Sequence, residues 1–398
     1  MNNYAQEIKH FRNIEDHEKT ISCWAPFQSL HINKHGWCRP CPFSFHDLRP
    51  NDTYVKDSGD GNLLITSHNN NVLIHGKPLK DQNWSINNSL LDIWNNDVIE
   101  RMKDIHMTGN IDPVLCKYCN NSVKEGKPPS SLDFDWVGGK RNVNHEYPQE
   151  IELELSNKCN YMCNACSPWC SSKHMERMGL QNDPEYKSIF DDPKIIAAFV
   201  EDLRDIIHHV YRINFTGGEP FAQRPVYEIL KMINEENPKD LNIHFTTNGS
   251  VMNGMVKKLA ARPNTHFTIS LDSINPKTYP LIRVNGELDN VMSNIDTIQS
   301  LCTGIIGCSF VIQKDNVFEL PKIVSWCNQK GIEFTYHLMV PMDNTELGKL
   351  DPITVEIQPV DYLNKLREYL LSSEIYTENN DLCKKNIKMY NQYIERLK

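Results

Sequence analysis

Six short apolar runs, spaced so that a helix fits between each successive pair, limit most sharply what this chain of 398 residues can become. They lie at 151–155, 212–215, 242–246, 266–271, 305–313 and 332–338. Strands alternating with helices form parallel βαβ units with right-handed connections, so the expected fold class is α/β. Six units fall short of the eight in a complete barrel. In barrels of parallel strands the reacting groups collect at the C-terminal ends of the strands. The residues just past each run are therefore the first candidates for a functional site.

After the first run come Cys159, Cys163 and Cys166, three thiols separated by three and then two residues. A [4Fe–4S] cubane takes four thiolates. Three close ligands leave one iron open, as a catalytic metal site keeps an exchangeable position. Cys170 follows after three more residues, which also suits a ferredoxin run. That run, however, has a first gap of two residues and a proline where Ser171 stands here. Zinc is the other metal such spacings bind. The second run leads into Thr216, Gly217, Gly218, Glu219 and Pro220, and the third into Thr247, Asn248 and Gly249. The fourth leads into Ser270, Asp272 and Ser273, and the fifth into Gln313 and Asn316. Glycines let a backbone approach a ligand closely, and the Glu219 carboxylate offers acceptors to an ammonium group. Turn or cap roles suit Asn248, Ser270 and Asp272 equally, and a solvated surface role suits Arg283.

Taken in order, these segments resemble the CxxxCxxC, GGE and strand-end motifs of the radical S-adenosylmethionine (radical SAM) superfamily, over residues 149–340. The resemblance implies a partial (β/α)6 TIM-type barrel. It implies a [4Fe–4S] cluster on Cys159, Cys163 and Cys166, with the amino and carboxylate groups of SAM chelating the open iron. Reductive cleavage of SAM then gives methionine and a 5'-deoxyadenosyl radical that takes a hydrogen atom from a substrate. The cofactor carries this chemistry while the protein positions it and excludes side reactions. By the same resemblance Gly217, Gly218 and Glu219 hold the methionyl amino group, and Asn248 and Asp272 the ribose hydroxyls. Ser270 and Arg283 then meet the methionyl carboxylate, and Gln313 and Asn316 complete the pocket. Ala165 departs from the pattern, since the family places a bulky residue there to pack near the adenine. The implied partners are SAM, a flavodoxin- or ferredoxin-type electron donor, and a substrate that is a peptide, a protein, a small metabolite or a nucleotide sugar. A non-catalytic iron–sulfur or zinc scaffold is the alternative class, but it has no use for the Gly217–Glu219, Asn248 and Asp272 segments.

Residues 1–125 read as a separate cysteine-rich α+β unit, 126–148 as a linker, 149–340 as the barrel, and 341–398 as a C-terminal helical extension. Runs at 63–66 and 72–75 flank an Asn-rich turn and predict a hairpin. Leu91, Trp94, Val98, Met102 and Ile105 recur at helical spacing after Ser89, with Gly109 as the stop, and predict one helix. Cys23, Gly36, Cys41, Cys116 and Cys119 resemble part of the SPASM/twitch auxiliary-cluster domains. This implies a second [4Fe–4S] cluster on the four cysteines. Four thiolates suit zinc equally, and Cys38 is near enough in sequence to replace Cys41. The family carries this domain after the barrel, whereas here it precedes it.

Thirteen cysteines, an odd number without a secretory signal, favour cluster or metal ligation in a reducing cytoplasm over a disulfide framework. Cys170, Cys302, Cys308, Cys327 and Cys383 are left over, and small apolar roles are the default for four of them. Cys308 or Cys170 is the alternative candidate to return a hydrogen atom to a substrate radical, as the resemblance implies, and His337 is a cap or substrate contact. A net charge of −9 argues against nucleic-acid binding. No apolar run approaches the roughly 18 residues of a membrane span.

Overall fold

The computed structural model describes residues 21–42, 44, 67–68, 71–74, 77–78, 83–112, 115–124, 142–338 and 360–395. The protein is mixed α/β, and its main sheet has eight strands. The chain divides into two compact units. The first comprises Met1–Ser156, Ser188–Asn214 and Pro225–Leu241, and the second Asn157–Lys187, Phe215–Arg224 and Asn242–Lys398.

In the first unit, β1 (Ser29–Asn33) pairs antiparallel with β2 (Cys38–Arg39). A separate antiparallel sheet joins β3 (Ser67–His68), β4 (Asn71–Ile74) and β5 (Lys77–Pro78). The predicted hairpin thus has β3 as its first arm, and residues 63–66 lie outside the described residues. The next strands are β6 (Glu150–Glu154) and β7 (Arg212–Phe215), and the order across this part of the main sheet is β7-β6-β1-β2. β1 lies parallel to β6, with Leu30 opposite Ile151 and Ile32 opposite Leu153. Those four side chains are fully buried. Successive strand residues face opposite ways, so His31, Glu152 and Glu154 share the other face. There His31 Nε2 lies 3.8 Å from Glu152 and 3.6 Å from Glu154.

The single helix expected after Ser89 is two, Leu90–Trp94 and Asp97–Met107. Ser89 and Asp92 form a capping box on the first, and Asn96 accepts from the amides of Val98 and Ile99 to cap the second. The apolar spacing is continuous across the break, so it hid the second start. Helix Pro193–Ile206 buries Ile196, Phe199, Val200, Leu203 and Ile206 at helical spacing, and Phe199 meets Trp84 edge to face.

In the second unit, β8 (Asn242–Thr247), β9 (Thr265–Ser270), β10 (Ile306–Ile312) and β11 (Glu333–Leu338) run parallel in chain order. Their boundaries match the expected runs within a residue. One face carries Phe245, Phe267, Phe310 and Phe334, all fully buried. Phe215 stacks on Phe245 at 5.1 Å, and Phe221 packs against the same ring. The alternate positions on the other face, Gly307 and Val311 apart, are polar, and include His244, Thr246, His266, Thr268, Ser270, Ser309 and Thr335. His244 Nε2 and Thr268 Oγ1 there are 2.8 Å apart. The expected C-terminal helices are Val360–Ser372 and Asp381–Glu395. Asn386 anchors the second, accepting from Phe334 N and donating to Ile332 O and Asn328 Oδ1.

Candidate cluster and cofactor site

The cysteine loop is held in shape by its own polar side chains. Asn157 Nδ2 donates to the carbonyls of Pro168 and Tyr186, and Ser171 Oγ to that of Tyr161. The Cys163 carbonyl takes a 2.8 Å bond from the His174 ring, and Cys166 N closes a turn onto the same oxygen. A second segment grips the loop from outside, since Met162 N donates to Val284 O and Asn164 N to Ile282 O. Gly286 makes this grip close: a Cβ there would stand 2.9 Å from both the Tyr161 and Tyr279 rings.

The segment 282–284 also delivers Arg283. One guanidinium nitrogen reaches Cys163 Sγ at 3.7 Å, and Nε lies 2.6 Å from Asp272 Oδ2. Both side chains of the ion pair are buried. The second Asp272 oxygen accepts from Val311 N at 2.8 Å. The bond from Cys166 and the charge of Arg283 bring the Cys163 thiol down to about 7 against its burial. Cys166 is pushed well up, by its bond to Cys163 first and by burial next, and burial lifts Cys159 to about 11.

The Gly217–Glu219 turn lies against the start of the cysteine loop. Glu219 N donates to Lys158 O at 2.8 Å, and a Cβ on Gly218 would stand 2.3 Å from that oxygen. Gly217 adopts φ +94°, a conformation that side chains disfavour. The Glu219 carboxylate is buried and accepts from Phe221 N, Thr247 Oγ1 and Asn248 N. Burial nevertheless raises its pKa, with those bonds opposing. A carboxylate offers about four acceptor sites, so one remains on Glu219 for a ligand.

The expected pocket residues fare differently. Cys159, Cys163, Cys166, Gly218, Glu219, Asn248, Asp272 and Arg283 form one connected constellation. Asn248 Nδ2 donates to Asn160 Oδ1 and contacts Cys159 Sγ at 3.9 Å. Ser270 ends β9 opposite Ser309. Gln313 has a buried Nε2 without a partner among the described residues, as a ligand donor would. Asn316 does not have that freedom. Its Nδ2 donates to Asp272 O and Val311 O and its Oδ1 accepts from Gln313 N, which makes it a tie between strand ends rather than a ligand contact. Sequence reasoning gave Thr247 no role of its own and missed His174, whose ring bonds a carbonyl of the cysteine loop.

The N-terminal cysteines lie in the other unit. The Cys116 thiol is raised by burial and then by the neighbouring Cys41, Cys23, Asp112 and Cys119. Cys38 is fully buried, its Sγ donates to Gly36 O, and it sits beside Trp84 and Asp202. His106 was not foreseen. Its Nε2 lies 3.8 Å from Cys116 Sγ.

Among the described residues, no three Cys, His, Asp or Glu side chains converge on a point suited to a single metal ion. A four-iron cluster takes each thiolate on a different iron and so spaces its ligands more widely. Three thiols on one loop, a guanidinium beside one of them and a buried Gln313 Nε2 without a partner among the described residues fit a cluster that binds a charged cofactor.

This donor set at the ends of parallel strands defines a class of iron–sulfur, SAM-dependent enzymes. Residues 153–327 match the family model of the radical SAM superfamily, which supports a radical SAM enzyme. That family implies a [4Fe–4S] cluster and SAM. Curated relatives include a probable GTP 3',8-cyclase of Methanocaldococcus jannaschii, 25% identical over 213 residues, which are 53% of this chain and 66% of that protein. A GTP 3',8-cyclase of Paenarthrobacter nicotinovorans is 25% identical over 195 residues, 49% of this chain and 52% of that one. The chain therefore spans roughly half to two thirds of these relatives' length. Among solved structures, SuiB of Streptococcus suis bound to S-adenosylmethionine is similar with a TM-score of 0.41 and 14% identity, covering 73% of this chain and 68% of that one.

Proposed function

We propose that this protein cleaves SAM reductively at a [4Fe–4S] cluster held by Cys159, Cys163 and Cys166, and that a hydrogen atom is then taken from a substrate. When bound, the cluster supplies the electron and SAM the 5'-deoxyadenosyl radical. The chain's own residues do the positioning. Arg283, fixed by Asp272, balances thiolate charge at Cys163 and orients the methionyl carboxylate. The open acceptor site of Glu219 and the carbonyls of the glycine turn hold the amino group. Gln313 Nε2 is a donor for the cofactor, and Asn248 and Ser270 line its edges. The observation that carries this reading is the contact of the Gly218–Glu219 turn with Lys158, which sets the amino-group acceptors beside the first cysteine.

The N-terminal thiols of Cys23, Cys41, Cys116 and Cys119 hold an auxiliary [4Fe–4S] cluster, with Cys41 rather than Cys38 as the ligand. The electron donor is of flavodoxin or ferredoxin type. The polar face of β8 to β11 suits a substrate rich in hydrogen-bonding groups, a description that covers a nucleotide or a peptide. The test is anaerobic reconstitution, reduction and addition of SAM. Release of 5'-deoxyadenosine and a changed cluster spectrum on adding SAM support the proposal. An intact, reducible cluster that does neither favours a non-catalytic scaffold.

A further inference from the structure

Arg39 ends β2 just before Cys41, and its guanidinium joins two neighbours. Nε donates to His31 Nδ1 at 3.1 Å, and a terminal nitrogen donates to Ser44 O at 3.3 Å. Ser44 N in turn lies 3.2 Å from both the carbonyl oxygen and the Sγ of Cys41, so its proton is shared between them. Ser44 Oγ also donates to the Cys41 carbonyl, at 2.9 Å. Arginine only donates, so His31 Nδ1 is an acceptor here and the ring is neutral, with its proton on Nε2. That nitrogen lies 3.6 Å from Glu154 and 3.8 Å from Glu152. Burial pulls the Arg39 pKa down, and negative charge on Glu154, Cys41 and Glu152 opposes it. Arg283 stands beside Cys163 in a similar way.

Reduction of an iron–sulfur cluster adds one electron and so one negative charge, and no bond forms or breaks. Hydrogen bonds to the ligand sulfurs and the charge nearby set the potential at which this happens. A cation and an N–H directed at a ligand thiolate favour the reduced state. We propose that Arg39 raises the reduction potential of the auxiliary cluster, by holding Ser44 N–H against the Cys41 sulfur and by placing a positive charge beside it. This rests on the auxiliary-site reading above. Arg39 is then a positioning residue that acts through Ser44 and through its own charge. Glu154, on the other side of His31, acts in the opposite direction.

The test uses the full-length wild type, Arg39→Gln and Glu154→Gln, each reconstituted with iron and sulfide and titrated with dithionite under EPR. The signal that added SAM leaves unchanged is the auxiliary one. Arg39→Gln should keep about eight irons, four per cubane. Its auxiliary midpoint should fall by about 59 mV, a tenfold drop in the reduced-to-oxidised ratio at a fixed potential. Glu154→Gln should raise the midpoint. About eight irons with an unmoved auxiliary midpoint in both variants overturns the tuning and leaves the auxiliary cluster standing. Wild-type protein holding only about four irons, with or without zinc, overturns both. If Arg39→Gln folds poorly, Glu154→Gln decides alone: an upward shift supports the proposal, and no shift overturns it.

Discussion

Arg283 and Asp272 are joined at 2.6 Å in a buried ion pair, and the same guanidinium contacts Cys163 Sγ. A buried pair is costly to break on one side because the remaining charge has no compensation. Arg283→Gln should therefore lower unfolding stability by about 3–5 kcal/mol, measured by urea denaturation. The double variant Arg283→Gln with Asp272→Asn should regain much of the loss. A double variant as weak as the single one would show that the pair itself is not the source.

Gly218→Ala should disrupt both halves of the site. The new Cβ would stand 2.3 Å from Lys158 O, a backbone atom that can move only with the cysteine loop. Iron bound at the loop and 5'-deoxyadenosine release should both fall. Normal values of both would mean that the turn does not rest on the loop.

Glu219→Ala should keep its cluster yet lose most SAM cleavage. Loss of one hydrogen bond to a charged group costs about 1.5–3 kcal/mol, or roughly ten- to a hundred-fold in rate. Cleavage assays on protein with matched iron content make the comparison.

The same carboxylate predicts a pH effect on stability. Burial raises its pKa above the ordinary 4.5, so the native state binds this proton more tightly than the unfolded chain. Its contribution is complete below that ordinary value and declines as pH rises through the window up to the raised value. Glu219→Gln should remove that part of the slope in denaturation curves taken across the window. An unchanged slope would place the effect on another group.

In the N-terminal set, Cys41→Ala should lower metal content or change the metal spectrum, while Cys38→Ala should leave both intact and cost stability alone. The Cys38 thiol sits beside Trp84 and Asp202 and donates to Gly36 O. Metal analysis of the two variants side by side checks this.

Much of the second unit was legible in sequence. β8 to β11 are short, apolar on one face and closed by motif residues, so period and punctuation agree. The roles of individual polar residues were less legible. Asn316 and Gln313 sit three residues apart on one loop, yet one amide is fully engaged by backbone and the other has an unpartnered nitrogen. Sequence spacing carries no information about which backbone groups a side chain will meet. His106 was hidden for a similar reason: on its helix it reads as one more buried position, and only the fold brings Cys116 to its ring. The pairing of β1 with β6 escaped notice because that parallel partner lies far along the chain, and local pattern says nothing about pairing at such distance.

That pairing has a consequence for biosynthesis. β1 takes its parallel neighbour from β6, so it must wait for a long stretch of later chain before it can dock. Contacts between segments distant in sequence form slowly. Cys23 emerges long before β6 can dock on β1, and well before Cys116 and Cys119, its companions in the proposed auxiliary site. The early thiols are therefore exposed on the nascent chain, and oxygen tension during expression should govern how much active protein is recovered.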